Sequence, residues 1–252
     1  MPTAVRRPGL RAEVWIVLGL SLGQSAIYSL MRIYVRLTSE TALGDQSASI
    51  NTSLSPRPYV DLTYQVLGIL FALVPVALAL YLLSEPGRAA IHRIGFDLAR
   101  PLRDLGAGLG IAALIGVPGL AFYAIGRALG ITVAVNPAAL NDHWWAIPIL
   151  ILAALKNAVL EEVIAVGYLL ERLEEIGWSW PLRTAASAVL RGLYHLYQGI
   201  GPFFGNLVMG LVFNEYYRRS KRVMPLVVAH TLIDIVAFVG YWLLSEAWRA
   251  WL

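Results

Sequence analysis

The chain of 252 residues contains no cysteine, and only 14% of its residues are charged. The absence of cysteine excludes disulfides, thiolate metal sites and a cysteine nucleophile. Charged residues usually make up about 25% of a soluble domain, so this chain has little of the charge that a solvated surface needs. The net charge of +4 is modest, and the basic residues occur in short clusters. This pattern favours a membrane topology signal over nucleic-acid binding.

Apolar residues, in contrast, make up 58% of the chain. A membrane-spanning helix needs about 20 mostly apolar residues. Candidate spans follow one another at 14–34, 60–83, 104–129, 144–170, 182–198, 203–217 and 223–244. An eighth helix could lie in 131–142 or in the C-terminal SEAWRAWL. The sequence therefore predicts an all-α fold, a polytopic helical membrane protein with seven or eight transmembrane helices. Residues 1–252 would form one integral membrane domain.

The basic clusters predict the orientation of these spans. They include Arg6, Arg7 and Arg11 at the N-terminus, the loop 84–103, and the sequence RRSKR before the last span. All of them lie on one side if seven spans alternate, and that side is expected to be the cytoplasm. The expected location is thus the cell membrane, multi-pass, with a cytoplasmic N-terminus. The Arg-, Ala- and Leu-rich composition suggests a bacterial source, and the oligomeric state is left open.

Two adjacent glutamates, Glu161 and Glu162, lie inside the apolar stretch VLEEVIAVGYLL. A carboxylate at the centre of a membrane helix costs about 2.5–3.5 kcal/mol on insertion scales, so both side chains need partners inside the bundle. Successive helical residues are rotated by about 100°. The two carboxylates therefore face different surroundings, which predicts one catalytic and one structural role.

Three of the predicted spans each have a polar face. Arg191 and His195 are four residues apart, as are His230 and Asp234, and Asn157 lies four residues before Glu161. Residues at this spacing share one face of a helix. A buried histidine alone is usually structural, but two histidines with charged neighbours and a glutamate pair indicate a functional site.

This set of side chains can carry out hydrolysis. Glutamate and histidine together can deprotonate a water molecule that attacks a carbonyl. A second histidine, oriented by Asp234, can donate a hydrogen bond to the developing oxyanion. Three alternatives use the same residues: a zinc site, although no HExxH motif is present, a transporter or proton relay, and a catalytically silent scaffold or immunity protein.

The order of these motifs resembles that of the CPBP family of intramembrane proteases, which includes the CAAX prenyl endopeptidases and bacterial Abi-type proteins. The family pattern is EExxxR, then FxxxH, then HxxxN or HxxxD, and the resemblance covers the motif-bearing core 146–244. It implies a helical membrane endopeptidase without an obligatory metal or other cofactor. It further implies that Glu161 is the general base, that His195 helps to bind water, and that His230 and Asp234 form the oxyanion side.

This chain departs from the family pattern at two positions. Val166 stands where the motif has arginine, and Arg191 stands where it has phenylalanine. We expect Arg191 to reach Glu162 from the neighbouring helix and thereby to replace the missing arginine. An unpaired arginine in the membrane interior would be costly.

The remaining expectations concern packing and partners. Asn206 lies among glycines in FFGNLVMGLVF, where small residues allow close helix packing. Packing is the main prediction for Asn206, and a hydrogen bond to substrate is the alternative. The expected partners are the lipid bilayer and a peptide or membrane-protein substrate, with no nucleic acid.

Overall fold

A computed structural model describes residues 9–244, and the fold in that range is mostly helical. Two strands of three residues each are the exceptions to the all-α prediction. The α-helices are α1 (Leu10–Gly19), α2 (Leu22–Leu37), α3 (Pro58–Ala72), α4 (Val74–Leu83), α5 (Ala90–Arg93), α6 (Pro101–Ala128), α7 (Ala146–Glu161), α8 (Leu169–Ile176), α9 (Trp180–His195), α10 (Ile200–Ser220), α11 (Met224–Ile235) and α12 (Tyr241–Leu243). The strands are β1 (Ser47–Ser49) and β2 (Ala134–Asn136), and π-helical turns cover Glu162–Tyr168 and Val236–Gly240.

The helices run back and forth between two ends of one bundle. At the first, here called the basic end, the loop after α4 meets the loop before α11, where the N–H of Val223 donates to the carbonyl of Ile94 at 2.9 Å. The guanidinium of Arg172 also reaches Glu13 of α1 at this end, at 2.8 Å. The arginine-rich loops thus gather at one end of the bundle, as alternating helices would place them.

The opposite end is closed by a short parallel ladder. Strand β1 pairs with β2, with Ala48 opposite Val135. An isolated bridge joins Thr132 to Gly199, next to the start of α10. This contact places the end of α9 and the start of α10 beside the ladder.

Three described helical segments are long and apolar enough to cross a membrane: Pro58–Leu83, Pro101–Ala128 and Met224–Leu243. Helices α1 and α2 would form a fourth span if the pair, bent by 55°, crosses as one. The predicted number of seven or eight spans thus remains a prediction. Among the other long helices, α7 carries charged residues of the site and α9 has only 16 residues. Helix α10 has 21 residues but contains polar side chains such as Asn206 and Asn214.

The predicted eighth helix in 131–142 is wrong, because this segment contains strand β2 and irregular backbone instead. Its backbone is held by the neighbouring loop, where the N–H of Ala134 donates to the carbonyl of Gln46 at 2.9 Å. The alternative position, SEAWRAWL, lies entirely outside the described residues, as do Arg6 and Arg7.

Small residues bring α9 close to α10. A Cβ atom at Gly210 would lie 2.9 Å from Cα of Ala188, and one at Gly192 would lie 2.8 Å from the ring of Phe203. The predicted close packing around the glycines of α10 is therefore present. It fixes the position of Arg191, which lies on α9 between these two contacts.

Ion pairs join the loops at the basic end. Arg93 bonds Glu171 at 3.1 Å and Glu175 at 2.6 Å, and Arg222 bonds Asp97 at 2.8 Å. Partial burial opposes the ionisation of Asp97, but hydrogen bonds with Arg222 and His92 outweigh it and lower the pKa of Asp97 to about 2. The Asp97 carboxylate therefore stays charged at neutral pH, and its contribution to stability is lost only as the pH falls from about 4 toward 2.

Candidate active site

The glutamate pair lies where the regular helix gives way to a π-helix. Helix α7 ends at Glu161, and the π-helical turn begins at Glu162. The hydroxyl of Ser187 on α9 donates to the carbonyl of Ala165 at 2.8 Å, inside this turn. Wider turns of this kind occur often at functional sites. The two carboxylates differ in exposure, since 13% of the Glu161 side chain is accessible and none of the Glu162 side chain is.

Glu162 is neutralised by Arg191. Nη2 of Arg191 donates to Oε1 and Oε2 of Glu162, at 2.8 and 2.7 Å. Val166, which stands at the position of the motif arginine, is fully buried. The expected contact between Arg191 and Glu162 is therefore present. Nδ1 of His230 also lies 2.6 Å from Oε1 of Glu162, so Glu162 holds side chains from two other helices.

Glu161 has weaker cationic contacts and more space. Its Oε2 accepts a hydrogen bond from the hydroxyl of Tyr194 at 2.8 Å. Arg191 Nη1 lies 3.4 Å from the same oxygen, and His230 Nε2 lies 3.9 Å away. Glu161 is thus oriented by the neutral hydroxyl of Tyr194. Arg191 and His230 lie nearby, but at longer distances than the partners of Glu162.

Asp234 lies next to this pair on α11. Its Oδ1 is 3.7 Å from Nε2 of His230, which is beyond direct hydrogen-bond range. Its Oδ2 instead accepts a hydrogen bond from the amide of Asn157 at 3.3 Å. The ammonium group of Lys156 donates to the side-chain oxygen of Asn157. A polar chain therefore runs from Lys156 on α7 to Asp234 on α11.

His195 ends helix α9, where its Nδ1 lies 3.0 Å from the carbonyl oxygen of Arg191. Within residues 9–244, His195 has no direct hydrogen bond or ion pair with Glu161, so its predicted part in binding water stays a prediction. Asn206 has a different role in the structure, because its amide donates to the carbonyl of Pro202 in its own helix at 3.0 Å. Because this bond lies within one helix, the packing role predicted for Asn206 stays a prediction.

Two residues of the site were missed by the sequence reasoning. Lys156 is a charged residue in an apolar helix, the same signal that singled out Glu161, and it directly precedes Asn157. Tyr194 carries no such signal, because a tyrosine in an apolar helix usually contributes only packing. Its contact with Glu161 depends on how α9 meets α7.

A metal ion is the chemical alternative for part of this site. Glu161, Glu162 and His230 can each offer one ligand atom, and these atoms lie within 4.8 Å of one another. Three such ligands plus water would suit zinc in number. The two oxygens of Glu162, however, already accept hydrogen bonds from Arg191. A metal would have to displace a buried guanidinium from Glu162 or bind beside its positive charge.

Comparison with known families relates the segment that carries the site to a described family. Residues 143–236 match the family described as type II CAAX prenyl endopeptidase Rce1-like. No curated protein and no solved structure shows significant similarity to the chain. The matching segment contains both glutamates and the residues predicted to act with them, namely Asn157, Arg191, His195, Asn206, His230 and Asp234. The predicted resemblance to CAAX-type endopeptidases is thus confirmed over this segment.

Proposed function

Since residues 143–236 match the type II CAAX prenyl endopeptidase Rce1-like family, we propose that the chain is an intramembrane endopeptidase of the glutamate-dependent kind. The observation that carries this proposal is the unequal environment of the two glutamates. Glu162 is buried and bound by Arg191 through both oxygens, whereas Glu161 is partly exposed and oriented by Tyr194. Glu161 is therefore the carboxylate that is free to take a proton from water.

In the proposed reaction, water lies between Glu161 and His195. Glu161 takes one proton as the water oxygen attacks the carbonyl carbon of the scissile peptide bond. The carbonyl oxygen then carries the negative charge of a tetrahedral intermediate. When the C–N bond breaks, Glu161 returns the proton to the leaving nitrogen. The products are a new carboxylic acid and a new amine, and Glu161 is ionised again. The acid then gives the second proton of the water to the amine, so that the released termini are a carboxylate and an ammonium group.

His230 would stabilise the oxyanion. With Nδ1 directed at Glu162, its Nε2 can donate a hydrogen bond only when the ring carries both protons. Glu161, Glu162 and Asp234 surround the ring, and the doubly protonated ring is the oxyanion donor in this proposal. A preorganised cationic donor in a site with little water stabilises developing negative charge strongly. The role proposed for Asp234 is thus electrostatic, at 3.7 Å, and does not require a direct hydrogen bond.

The proposed setting is the cell membrane, with the basic end and the N-terminus in the cytoplasm. Basic loops are enriched on that side of membrane proteins, and here they gather at one end of the bundle. The proposed substrate is a peptide or membrane protein that enters the bundle from the bilayer. The three apolar segments long enough to cross a membrane support this setting.

Cleavage of a peptide library by the purified protein tests the function. In water enriched in oxygen-18, hydrolysis places one heavy oxygen in each new carboxyl terminus, which mass spectrometry detects. New termini carrying the label are expected with the wild-type protein. Absence of any cleavage across membrane-peptide and soluble-peptide libraries, by a protein shown to be folded, would contradict the proposal and favour a transporter or scaffold.

We further predict that hydrolysis is independent of a bound metal, because Arg191 opposes a cation at Glu162. Treatment with a chelator should leave the cleavage rate within about twofold of the untreated rate, since no ligand of the reacting water is removed. Elemental analysis of the purified protein gives the metal content in parallel. Stoichiometric zinc, with activity lost on chelation and restored by zinc, would contradict this prediction.

A further inference from the structure

A groove lies beside the proposed active site at the end opposite the basic end. Its walls are helix α2, strand β1 and the ring of Tyr197, and its volume is about 560 Å³. The N–H of Tyr197 donates to the hydroxyl of Ser29 on α2 at 2.6 Å, which fixes this wall. Tyr197 follows His195 by two residues. The groove is therefore separate from the glutamate pair but shares a segment with the site.

Two arginines four residues apart on α2 line this groove, Arg32 and Arg36. The guanidinium of Arg32 lies over the ring of Tyr197, 5.7 Å from its centroid. Arg36 donates to neutral oxygens, the side chain of Gln46 at 3.1 Å and the carbonyl of Ser47 at 2.9 Å. Within residues 9–244, neither arginine has a carboxylate as an ion-pair partner.

Three arginines at the basic end differ from this pair in their partners. Arg93, Arg172 and Arg222 each bind at least one carboxylate, at distances from 2.6 to 3.1 Å. In the groove, two like charges instead lie side by side on one helix face, an arrangement that destabilises the pair unless an anion lies between them. An anionic ligand from outside the described residues would neutralise the positive charge of these two arginines.

The remaining walls of the groove are amphipathic. Tyr28, Met31 and Val35 are 59, 57 and 62% exposed, and they lie on the same stretch of α2 as the arginines. Polar groups lie toward the end of the helix, among them Ser39 and Ser49. An occupant with an apolar tail and an anionic head would match the apolar wall, the two guanidinium groups and the hydroxyl groups in that order.

We propose that this groove binds one phospholipid with a net negative headgroup, with its phosphate on Arg32 and Arg36 and an acyl chain along Tyr28, Met31 and Val35. A peptide with an acidic group could satisfy the arginines. It would, however, not account for the exposed apolar residues that continue along α2 beside the two arginines. Guanidinium groups bind phosphate oxygens through paired hydrogen bonds. The proposal does not depend on the proposed proteolytic activity.

The site is tested by native mass spectrometry of the delipidated full-length protein. Phosphatidylglycerol is added in competition with phosphatidylcholine of the same acyl chains, so that net headgroup charge is the variable. We expect one preferentially bound phosphatidylglycerol. Arg32→Gln should weaken its binding by about tenfold or more, the loss expected for one charge-assisted hydrogen bond. Arg57→Gln is the matched control, because Arg57 precedes α3 at the same end, is exposed and lies outside the groove.

Arg36→Lys provides a second variant, because Arg36 also holds the loop before β1. This change keeps the charge and removes the planar fork, so binding should weaken while the fold is retained. Free inorganic phosphate and an acidic peptide are added in separate arms. Equal binding of both lipids by wild type and Arg32→Gln would overturn the proposal. Displacement of the lipid by the acidic peptide at equal concentration would overturn it as well.

Discussion

Glu161→Gln is expected to lower the rate of peptide hydrolysis by about 10²–10⁴-fold, because the amide keeps the volume of the side chain but cannot accept the proton. The hydrogen bond from Tyr194, 2.8 Å in the structure, can persist because the amide oxygen is also an acceptor. The variant should therefore fold normally. The measurement is the initial cleavage rate, combined with the midpoint of thermal unfolding in detergent.

Glu40→Gln is the matched control for this experiment. Glu40 is exposed, lies outside the helices and contacts none of the site residues. The same chemical change at Glu40 should leave the cleavage rate unaltered. Retention of full activity by Glu161→Gln, with the control also active, would show that Glu161 is not the base.

Sequence reasoning could identify the side chains of this site because the membrane makes polar groups conspicuous. Spacing by four residues placed His230 and Asp234 on one helix face, and in the structure Nε2 of His230 lies 3.9 Å from Glu161 and 3.7 Å from Asp234. The departure at Val166, taken with Arg191, predicted the contact between Arg191 and Glu162, which is present at 2.7 Å. In each case the cost of an unpaired charge in an apolar setting restricted the choice of partner.

Helical periodicity could not supply the details that depend on tertiary contacts. The π-helical turn after Glu161 is stabilised by Ser187 from another helix, and no local pattern in VIAVGY indicates it. Strand β1 pairs with β2 from a distant part of the chain, and three residues are too few for an alternating pattern. The distance between His230 and Asp234 likewise depends on the orientation of the ring toward Glu162.

The number of membrane crossings could not be predicted from the sequence for a different reason. Apolar length predicts spans such as Pro58–Leu83, which the structure keeps as a long apolar segment broken once, before Val74. Around the site, apolar length also predicts spans for helices whose charged residues face the bundle interior. Helix α7 carries Lys156 and Glu161 within 16 residues. The position of α7 in the membrane therefore depends on the neighbouring helices that cover these charges. Hydropathy alone does not identify those helices.

Arg191→Ala and Glu162→Ala are each expected to lower the free energy of unfolding by about 3–5 kcal/mol, because each leaves the other charge buried without its partner. Both side chains are fully buried, and Nη2 of Arg191 lies 2.7 Å from Oε2 of Glu162. The double variant should cost much less than the sum of the two single changes. Reversible unfolding in mixed micelles measures all four proteins of the cycle.

The same cycle with Glu161 is the control, because Arg191 also lies 3.4 Å from Oε2 of Glu161. Coupling should be large for Arg191 with Glu162 and small for Arg191 with Glu161, since only the first pair has direct hydrogen bonds at normal length. A further variant, Val166→Arg with Arg191→Phe, returns the cation to the position of the family motif. It should partly restore both stability and activity relative to Arg191→Phe alone. The reverse order of the two couplings would assign the structural role to Glu161 and move the base to Glu162.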